Sequence, residues 1–266
     1  MKLGFIGVGN MGGTLAAVAA KAVGAEHLLV SSRTMEKAAA FAEKVGCRAV
    51  TNQDIAKQAA WIFLGVKPQK LEAVLAELQP VCAARSERVV IVSMAAGVTT
   101  QQVAAWSGGQ FPVLRIMPNT PSAVGEGMIQ FCGNDLVTEE DQACLQKVLA
   151  PAGRVVPLAE HLMDAASAVS GCGPAFVCLF IEAMADAGVA CGLPRATALE
   201  YAAQTLLGTA KLVLETGTHP AALKDAVCSP AGSTIAGVAA LEAGCFRSAV
   251  QKAVKASFER TGELGK

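Results

Sequence analysis

The sequence predicts an α/β domain with a doubly wound, parallel sheet, followed by an all-α domain that dimerises. Three observations predict this class. Short apolar runs alternate with stretches of helical spacing up to about residue 160, and a glycine-rich loop directly follows the first run. Beyond that point the β-compatible runs cease, and alanine-rich and leucine-rich segments of helical period remain. We therefore expect domains at residues 1–160 and 161–266.

The elements of the first domain follow one another regularly. Six runs predict strands: Lys2 to Ile6, His27 to Ser31, Arg48 to Val50, Trp61 to Val66, Arg88 to Ser93 and Pro112 to Met117. Helical spacing occurs between them, at Gly12 to Val23, Met35 to Val45, Lys70 to Leu78 and Thr100 to Trp106. Two strands, Gly127 to Cys132 and Arg154 to Leu158, flank a helix from about Thr138 to Leu149. This alternation is typical of a parallel sheet covered by helices on both faces.

The second domain is predicted to be helical and dimeric. Cys172 to Ala187 and Ala196 to Leu214 carry apolar residues on more than one face, which indicates burial on several sides. A bundle with so few charges is expected to pack against a second copy of itself, although a larger monomeric core would give the same pattern.

Composition excludes several classes of function. The 22 lysine and arginine residues balance 22 aspartate and glutamate residues, so the net charge gives no attraction to nucleic acid or to an anionic membrane. No apolar run approaches the roughly 18 to 20 residues that a membrane span needs. The nine cysteines are scattered without a C-x-x-C pair, and no metal-ligand cluster stands out. We expect a cytoplasmic protein with reduced thiols, without an export signal, that acts on small molecules.

The first strand runs into a dinucleotide-binding motif. Gly7-Val8-Gly9-Asn10-Met11-Gly12 is a G-x-G-x-x-G that follows a strand and opens a helix. Gly7 permits the tight turn, Gly9 lets the backbone approach a pyrophosphate, and Gly12 lets the helix pack closely on the strand. Asn10 and Met11 begin the helix whose N-terminus faces the phosphate charge. This context predicts a Rossmann-type domain.

The loop after the second strand favours NADPH, with NADH also possible. An enzyme that uses NAD places an acidic residue there, on the ribose 2′-hydroxyl. The chain instead has Ser31, Ser32 and Arg33, whose hydroxyls and guanidinium favour a 2′-phosphate. Arg33 as a solvated loop residue is the alternative. Asn52, just past the third strand, can hydrogen-bond the adenosine side or serve only its turn.

Three more loops follow the carboxyl ends of strands, where ligands of such sheets bind. Val66-Lys67-Pro68 offers a cation for a phosphate, and Met94-Ala95-Ala96 offers small side chains that let a ring or ribose come close. Asn119 and Thr120 offer hydrogen bonds from a loop stiffened by two prolines. We include Asn119 among the cofactor-binding residues.

The chain resembles the pyrroline-5-carboxylate reductases. The resemblance rests on "GFIGVGNMGG", "VKP", "SMAAGV", "RIMPNTP", "SGCGPAF" and "LKDAVCSPAGSTIAGVAALE", in that order and over nearly the whole chain. The last of these, residues 223–242, is the signature segment below. Where the family usually has Ser-Pro-Gly-Gly, this chain has Ser229-Pro230-Ala231-Gly232. The methyl group of Ala231 is expected to favour a negative φ there.

The resemblance implies NAD(P)H-dependent hydride transfer to the C=N bond of 1-pyrroline-5-carboxylate, which yields L-proline. It further implies a homodimer, or a larger ring of dimers, with interlaced helical domains and active sites between the two kinds of domain. The free N–H groups of Gly232, Ser233 and Thr234 then bind the substrate carboxylate. The hydroxyl of Thr234, taken as the catalytic group, hydrogen-bonds the imine or amine nitrogen. No protein acid is obligatory, because a protonated imine is already electrophilic.

Other functions remain as alternatives. Ser229 or Ser233 capping a helix, with Thr234 bonded to its own backbone, would give the same short sequence. Another imine reductase or a β-hydroxyacid dehydrogenase shares the first domain, but the latter expects a lysine where Val177 follows Gly171-Cys172-Gly173. A non-catalytic NADP-sensing protein would not need the signature segment.

Overall fold

The protein is described by a computed structural model, in which residues 1–264 are placed. It divides into two compact units. Unit 1 contains Met1–Cys172 together with the end of the chain from Ser257, and unit 2 contains Gly173–Ala256. Each unit is described separately below.

Unit 1 is built on one sheet of eight strands. The strands are β1 (Leu3–Ile6), β2 (Leu28–Ser31), β3 (Arg48–Ala49), β4 (Trp61–Leu64), β5 (Val90–Ser93), β6 (Val113–Met117), β7 (Gly127–Gly133) and β8 (Gly153–Pro157). Their order is β3-β2-β1-β4-β5-β6-β7-β8, and all eight strands were predicted. β6 pairs with β7 antiparallel, whereas the other neighbours are parallel. The sheet is therefore mixed rather than wholly parallel, because residues 118–126 are fewer than the dozen or so that a parallel crossover requires.

Helices cover both faces of this sheet. They are α1 (Asn10–Val23), α2 (Met35–Val45), α3 (Asn52–Gln58), α4 (Pro68–Ala83), α5 (Thr100–Trp106), α6 (Glu139–Leu149) and α7 (Met163–Ala166). Alternate strand residues enter opposite cores. Trp61 and Phe63 join the cluster under α1 and α6, while Ile62 and Leu64 join the cluster under α3 and α4. The two-sided burial explains why these strands are apolar throughout.

Helix α3 was not predicted as a helix. Thr51 begins it with a capping box, because its side chain accepts the N–H of Asp54 and Asp54 accepts the N–H of Thr51. The pattern T-x-x-D in the sequence is the signal that identifies this start. Through it, Asn52 becomes the first residue of a helix instead of a residue in an open turn.

The segment from 160 to 172 belongs to unit 1, although the change in composition groups it with the second domain. Polar side chains hold it to the sheet. Asp164 pairs with the buried Arg115 of β6 at 2.6 Å, and Ser170 accepts hydrogen bonds from Asn119 and Gln130. The functional domain boundary near residue 160 stays a prediction.

Unit 2 consists of helices whose apolar side chains are largely exposed. They are α8 (Gly173–Ala190), α9 (Arg195–Thr216), α10 (Pro220–Ala226), α11 (Ser233–Ala243) and α12 (Phe246–Leu264), of which α12 extends into unit 1. Its buried hydrophobic cluster holds only Ala185, Ala198 and Ala202. Large side chains such as Leu179, Leu214 and Val227 are each at least 60% exposed. An exposed apolar surface of this kind marks an interaction site.

One helical stretch corrects the expectation that no apolar run has membrane-spanning length. Among the described residues, Glu160–Ala190 is long and apolar enough to cross a membrane, by length and composition alone. The sequence appeared to be interrupted at Gly171, Gly173 and Pro174, whereas the structure continues helical through them. A core helix of a soluble protein meets the same criterion.

Candidate functional site

The turn between β1 and α1 has the geometry of a phosphate cradle. Gly7 adopts φ +96° and donates its N–H to the carbonyl of Ser31 at 2.9 Å. Gly9 caps α1 without a side chain, and a Cβ placed on it would meet no atom within 4 Å. The space beside Gly9 is thus open to a ligand. Asn10 and Met11 open the helix, with no acidic residue in its first turn to repel an anion.

The close approach expected at Gly12 is confirmed, and it involves a third glycine. A Cβ on Gly12 would lie 2.0 Å from the carbonyl oxygen of Gly7. A Cβ on Gly65, which follows β4, would lie 2.5 Å from the same oxygen and 3.1 Å from the Cα of Gly12. Sequence reasoning named the residues after Gly65 but not Gly65 itself. A glycine at the end of a strand, before Val66-Lys67-Pro68, was the available signal.

Ser31 lies at the predicted place, but its hydroxyl has a partner within the protein. The side chain is buried, and Oγ donates to Oδ1 of Asn52 at 2.6 Å. Asn52 in turn donates from Nδ2 to Oε2 of Glu77 at 3.0 Å. Ser31 therefore orients Asn52, and Ser32 and Arg33 are the side chains of this loop left for a phosphate. Arg33 is exposed and forms no ion pair with another described residue.

The loops after β4 and β5 present small and mobile side chains at the same edge. Lys67 caps α4 with an exposed side chain, and Pro68 occupies the first turn, where its missing N–H costs nothing. The sulfur of Met94 lies 3.5 Å from the Cβ position of Gly65. Ala95 is buried in the core, so its backbone rather than its methyl group faces this edge, while Ala96 is half-buried.

Asn119 follows β6 and is 7% exposed. Its Nδ2 donates to the carbonyl of Ser170, and its Oδ1 accepts the N–H of Met128, both at 2.9 Å. These bonds give Asn119 a structural role that the sequence did not predict. A direct contact with cofactor stays a prediction for the N–H that remains on its amide.

A charged cluster beside Asn119 was also missed. Arg115 is 2% exposed, and its guanidinium contacts Asp164 at 2.6 Å and Glu160 at 3.6 Å. Both oxygens of Glu160 accept bonds from the N–H and the hydroxyl of Thr100, each at 2.7 Å. An arginine inside an apolar strand was the signal, since a buried guanidinium needs a carboxylate partner.

Cys132 lies opposite Arg115 in the register of β6 and β7. Burial, followed by the charge of Glu160, raises the pKa of its thiol to about 12, against the smaller effect of Arg115. The thiol is thus neutral near pH 7 and unsuited to nucleophilic attack. Among residues 1–264, no group of three His, Cys, Asp or Glu side chains is placed to hold a metal ion.

The signature segment in unit 2 forms a tight turn. Gly232 donates its N–H to the carbonyl of Ser229 at 3.0 Å, which places Pro230 and Ala231 at the two central positions. Ala231 has φ +57°, so the expected negative φ is wrong. A turn with proline at its second position and a positive φ at its third is of type II, and closing that turn overrides the preference of alanine.

The same bond corrects the predicted set of free donors. The N–H of Gly232 is used within the turn, so the free N–H groups at the start of α11 begin with Ser233 and Thr234. No side chain caps this helix. The side chain of Thr234 is exposed, and its hydroxyl forms no hydrogen bond to any described residue, its own backbone included. The predicted alternative of a purely structural Thr234 lacks support in this geometry.

The structure brings the predicted residues together in two groups. The glycine loop, Ser32, Arg33, Asn52, Lys67 and Met94 follow the carboxyl ends of parallel strands and share one edge of the sheet in unit 1. Ser233 and Thr234 lie at the start of α11 in unit 2. The first group suits a dinucleotide, and the second suits a small carboxylate with a polar atom nearby.

Comparisons with known proteins agree with both groups. Residues 160–264 match the family model for pyrroline-5-carboxylate reductase dimerisation, and residues 2–97 match the model for NADP oxidoreductase, coenzyme F420-dependent. A pyrroline-5-carboxylate reductase of Escherichia coli is 42% identical over 100% of this chain and 98% of its own. One from Synechocystis is 47% identical over 81% of this chain and 79% of its own. A crystal structure of the Plasmodium falciparum pyrroline carboxylate reductase with NADP bound superposes with a TM-score of 0.90 at 31% identity, over 100% of this chain and 98% of that one.

Proposed function

The chain belongs to the pyrroline-5-carboxylate reductase family and reduces the C=N bond of 1-pyrroline-5-carboxylate to give L-proline, and we propose that NADPH is its preferred hydride donor. One observation carries this preference. The loop after β2 offers an exposed Arg33 and a half-buried Ser32 and contains no carboxylate that would repel a 2′-phosphate. The NADP bound in the Plasmodium falciparum structure is consistent with it.

The residues present fit a dinucleotide. The open space beside Gly9 receives the pyrophosphate, and the N–H groups of Asn10 and Met11 stabilise its charge. Lys67 adds a cation, and Asn52, oriented by Ser31 and Glu77, contacts the adenosine. The nicotinamide ring lies beside Met94 to Ala96 and the loop of residues 118–121. When bound, the cofactor supplies the hydride from its nicotinamide C4.

The start of α11 binds and orients the imine. The free N–H groups of Ser233 and Thr234 bind the substrate carboxylate, aided by the positive end of the helix dipole. The unpartnered hydroxyl of Thr234 hydrogen-bonds the substrate nitrogen as it changes from imine to amine. The protein therefore contributes orientation and charge stabilisation, and the proton on the nitrogen enters with the substrate. The β-hydroxyacid alternative has no lysine available, since Val177 occupies that position.

We further propose that the working protein is a homodimer in the cytoplasm. A second copy covering the exposed side chains of unit 2 accounts for its small core and for the apolar stretch Glu160–Ala190 without a membrane. The family model for residues 160–264 is named for dimerisation. Nine unpaired cysteines are consistent with a reducing compartment. Light scattering after size exclusion tests the assembly, and a monomer would contradict it.

The experiment that tests the cofactor proposal compares two parallel cuvettes. Purified protein is mixed with 1-pyrroline-5-carboxylate and either NADPH or NADH, and the loss of reduced-cofactor absorbance is followed while proline is quantified. We expect proline in both, with the larger kcat/KM for NADPH. An equal or larger value for NADH would overturn the preference and leave the reductase activity standing.

A further inference from the structure

We propose that Ser170 is a positioning residue for hydride transfer: through Asn119 it holds the loop of residues 118–121 in place at the carboxyl edge of the sheet. The inference rests on the proposed binding of nicotinamide beside that loop. Neither the sequence motifs nor the family model assigns a role to Ser170. Four features of unit 1 support it.

The loop has few bonds of its own. Pro118 and Pro121 have no N–H to donate, and the backbone bond within the turn joins the N–H of Ser122 to the carbonyl of Asn119 at 3.1 Å. The amide of Asn119 supplies the remaining anchors, one to Met128 and one to Ser170, both at 2.9 Å. Since Asn119 is buried, it cannot exchange these partners for water at low cost.

The sequence itself leaves the carbonyl of Ser170 free for Asn119. In an α-helix this carbonyl would accept the N–H of residue 174, but Pro174 has none. The chain here is a π-helix, Ser167–Gly171, followed by a bond from the N–H of Cys172 to the carbonyl of Ser167 at 3.0 Å. Single π turns inside α-helices are frequent at functional sites. The side chain of Asn119 occupies the position that a backbone donor would otherwise fill.

The hydroxyl of Ser170 fixes that carbonyl in place. It accepts the amide N–H of Gln130 at 2.9 Å and donates to the carbonyl of Ala166 at 2.9 Å. Gln130 is buried on β7, the strand that pairs with β6. Ser170 is thus bonded to the loop through its backbone and to the neighbouring strand through its side chain.

The beginning of the same segment is anchored independently. Asp164 pairs with Arg115, and Glu160 binds Thr100 at the start of α5. Loss of the Ser170 hydroxyl therefore loosens the end of the segment and the attached loop without releasing the segment from the sheet. This separation makes a kinetic effect distinguishable from unfolding.

The test compares Ser170→Ala with the wild-type protein in steady-state assays with NADPH. We expect kcat to fall about tenfold, because small displacements of reacting groups cost between several-fold and a hundredfold in rate. The Kd for NADPH, measured by fluorescence titration, stays within about twofold, because phosphate contacts hold the cofactor. The primary isotope effect with NADPH deuterated at the transferred position increases, because hydride transfer then limits turnover.

Ser107→Ala is the matched control. Ser107 is a buried serine of unit 1 whose hydroxyl donates to a backbone carbonyl at 2.8 Å, at the C-terminal end of α5. We expect it to lower the melting temperature about as much as Ser170→Ala and to leave kcat and the isotope effect unchanged. Equal kcat values for the two variants would overturn the proposal.

Gln130→Met separates the route of action. If Ser170 acts through its bond to Gln130, the double variant loses no more kcat than Ser170→Ala alone. Multiplied losses would show that Ser170 does not depend on Gln130 and would refute this route. A failed cofactor proposal is recognised separately, since it alters the NADPH to NADH ratio of the wild-type protein, which Ser170 does not contact.

Discussion

Ala231 occupies a left-handed position that a glycine would occupy without strain, and Ala231→Gly should therefore stabilise the protein. With φ at +57°, the Cβ of an L residue is crowded by the following carbonyl. This crowding costs about 1 to 2 kcal/mol per residue. Against it stands the greater freedom of glycine in the unfolded chain, which costs about 0.4 to 1 kcal/mol. We expect a net gain of about 0.5 to 1 kcal/mol in the free energy of unfolding, from the difference between these two costs.

The gain is measurable by urea unfolding and by thermal melting at fixed protein concentration. A melting temperature about 1 to 3 °C higher corresponds to this gain in a domain of roughly this size. The kcat/KM for 1-pyrroline-5-carboxylate should stay within about twofold, because the type II turn already holds the start of α11 in both proteins.

Two substitutions act as controls. Ala39→Gly changes an exposed alanine in the middle of α2 and should lower the free energy of unfolding by about 1 kcal/mol. Ala231→Val should also destabilise, because a β-branched residue tolerates positive φ least. If Ala231→Gly destabilises as much as Ala39→Gly does, the residue has negative φ in solution and the reasoning is refuted.

Four further predictions concern the site and its surroundings. Thr234→Ala should keep NADPH binding and lower kcat/KM by about 1 to 3 kcal/mol in transition-state stabilisation, with Thr234→Ser as the control that keeps the hydroxyl. Arg33→Ala should narrow the ratio of kcat/KM values for NADPH and NADH, because it removes a charge available to the 2′-phosphate. Burial raises the pKa of Asp141, but hydrogen bonds from Arg88 and Thr138 outweigh it, and the net pKa is lowered. Asp141 therefore stabilises the fold above its unfolded pKa of about 3.9, and this contribution is lost as pH falls through the folded pKa, so Asp141→Asn should flatten the acid limb of urea unfolding between pH 3 and 7. Cys132, with its pKa of about 12, should alkylate at pH 8 about three orders of magnitude more slowly than a free thiol, as followed by mass spectrometry.

Each of these has a clear contrary result. An unchanged rate in Thr234→Ala would remove its hydroxyl from the mechanism. An unchanged cofactor ratio in Arg33→Ala would mean that the 2′-phosphate is held elsewhere. Parallel acid limbs for the wild-type protein and Asp141→Asn would show that the pair with Arg88 contributes nothing to acid stability. Labelling of Cys132 at the rate of a free thiol would show that its environment is not the buried one described.

Local patterns predicted most of the elements. The strands of unit 1 are buried on both faces, so they appear as short continuous apolar runs, and the glycine loop between β1 and α1 is constrained by neighbours within the same few residues. Helix α3 was missed because it is short and its apolar spacing is weak. The direction of β7 followed only once the length of the connection from β6 was weighed.

The candidate site was predicted where a motif is contiguous and missed where it is assembled from distant segments. Gly9, Gly12 and the hydroxyl of Thr234 lie as expected, because one turn and one helix start determine their surroundings. The bond from Asn119 to Ser170 joins residues far apart in the chain, and nothing in either neighbourhood announces the other.

The sequence by itself therefore determined the class of fold, the family and the chemistry, because these depend on periodicity and on short motifs whose geometry is local. Tertiary structure decided which polar groups remain available. It assigned the hydroxyl of Ser31 to Asn52, the N–H of Gly232 to Ser229, and a positive φ to Ala231. The physical reason is that a buried or turn-forming polar group takes whichever partner the fold brings within about 3 Å, and that partner is chosen by packing rather than by the residue's own type.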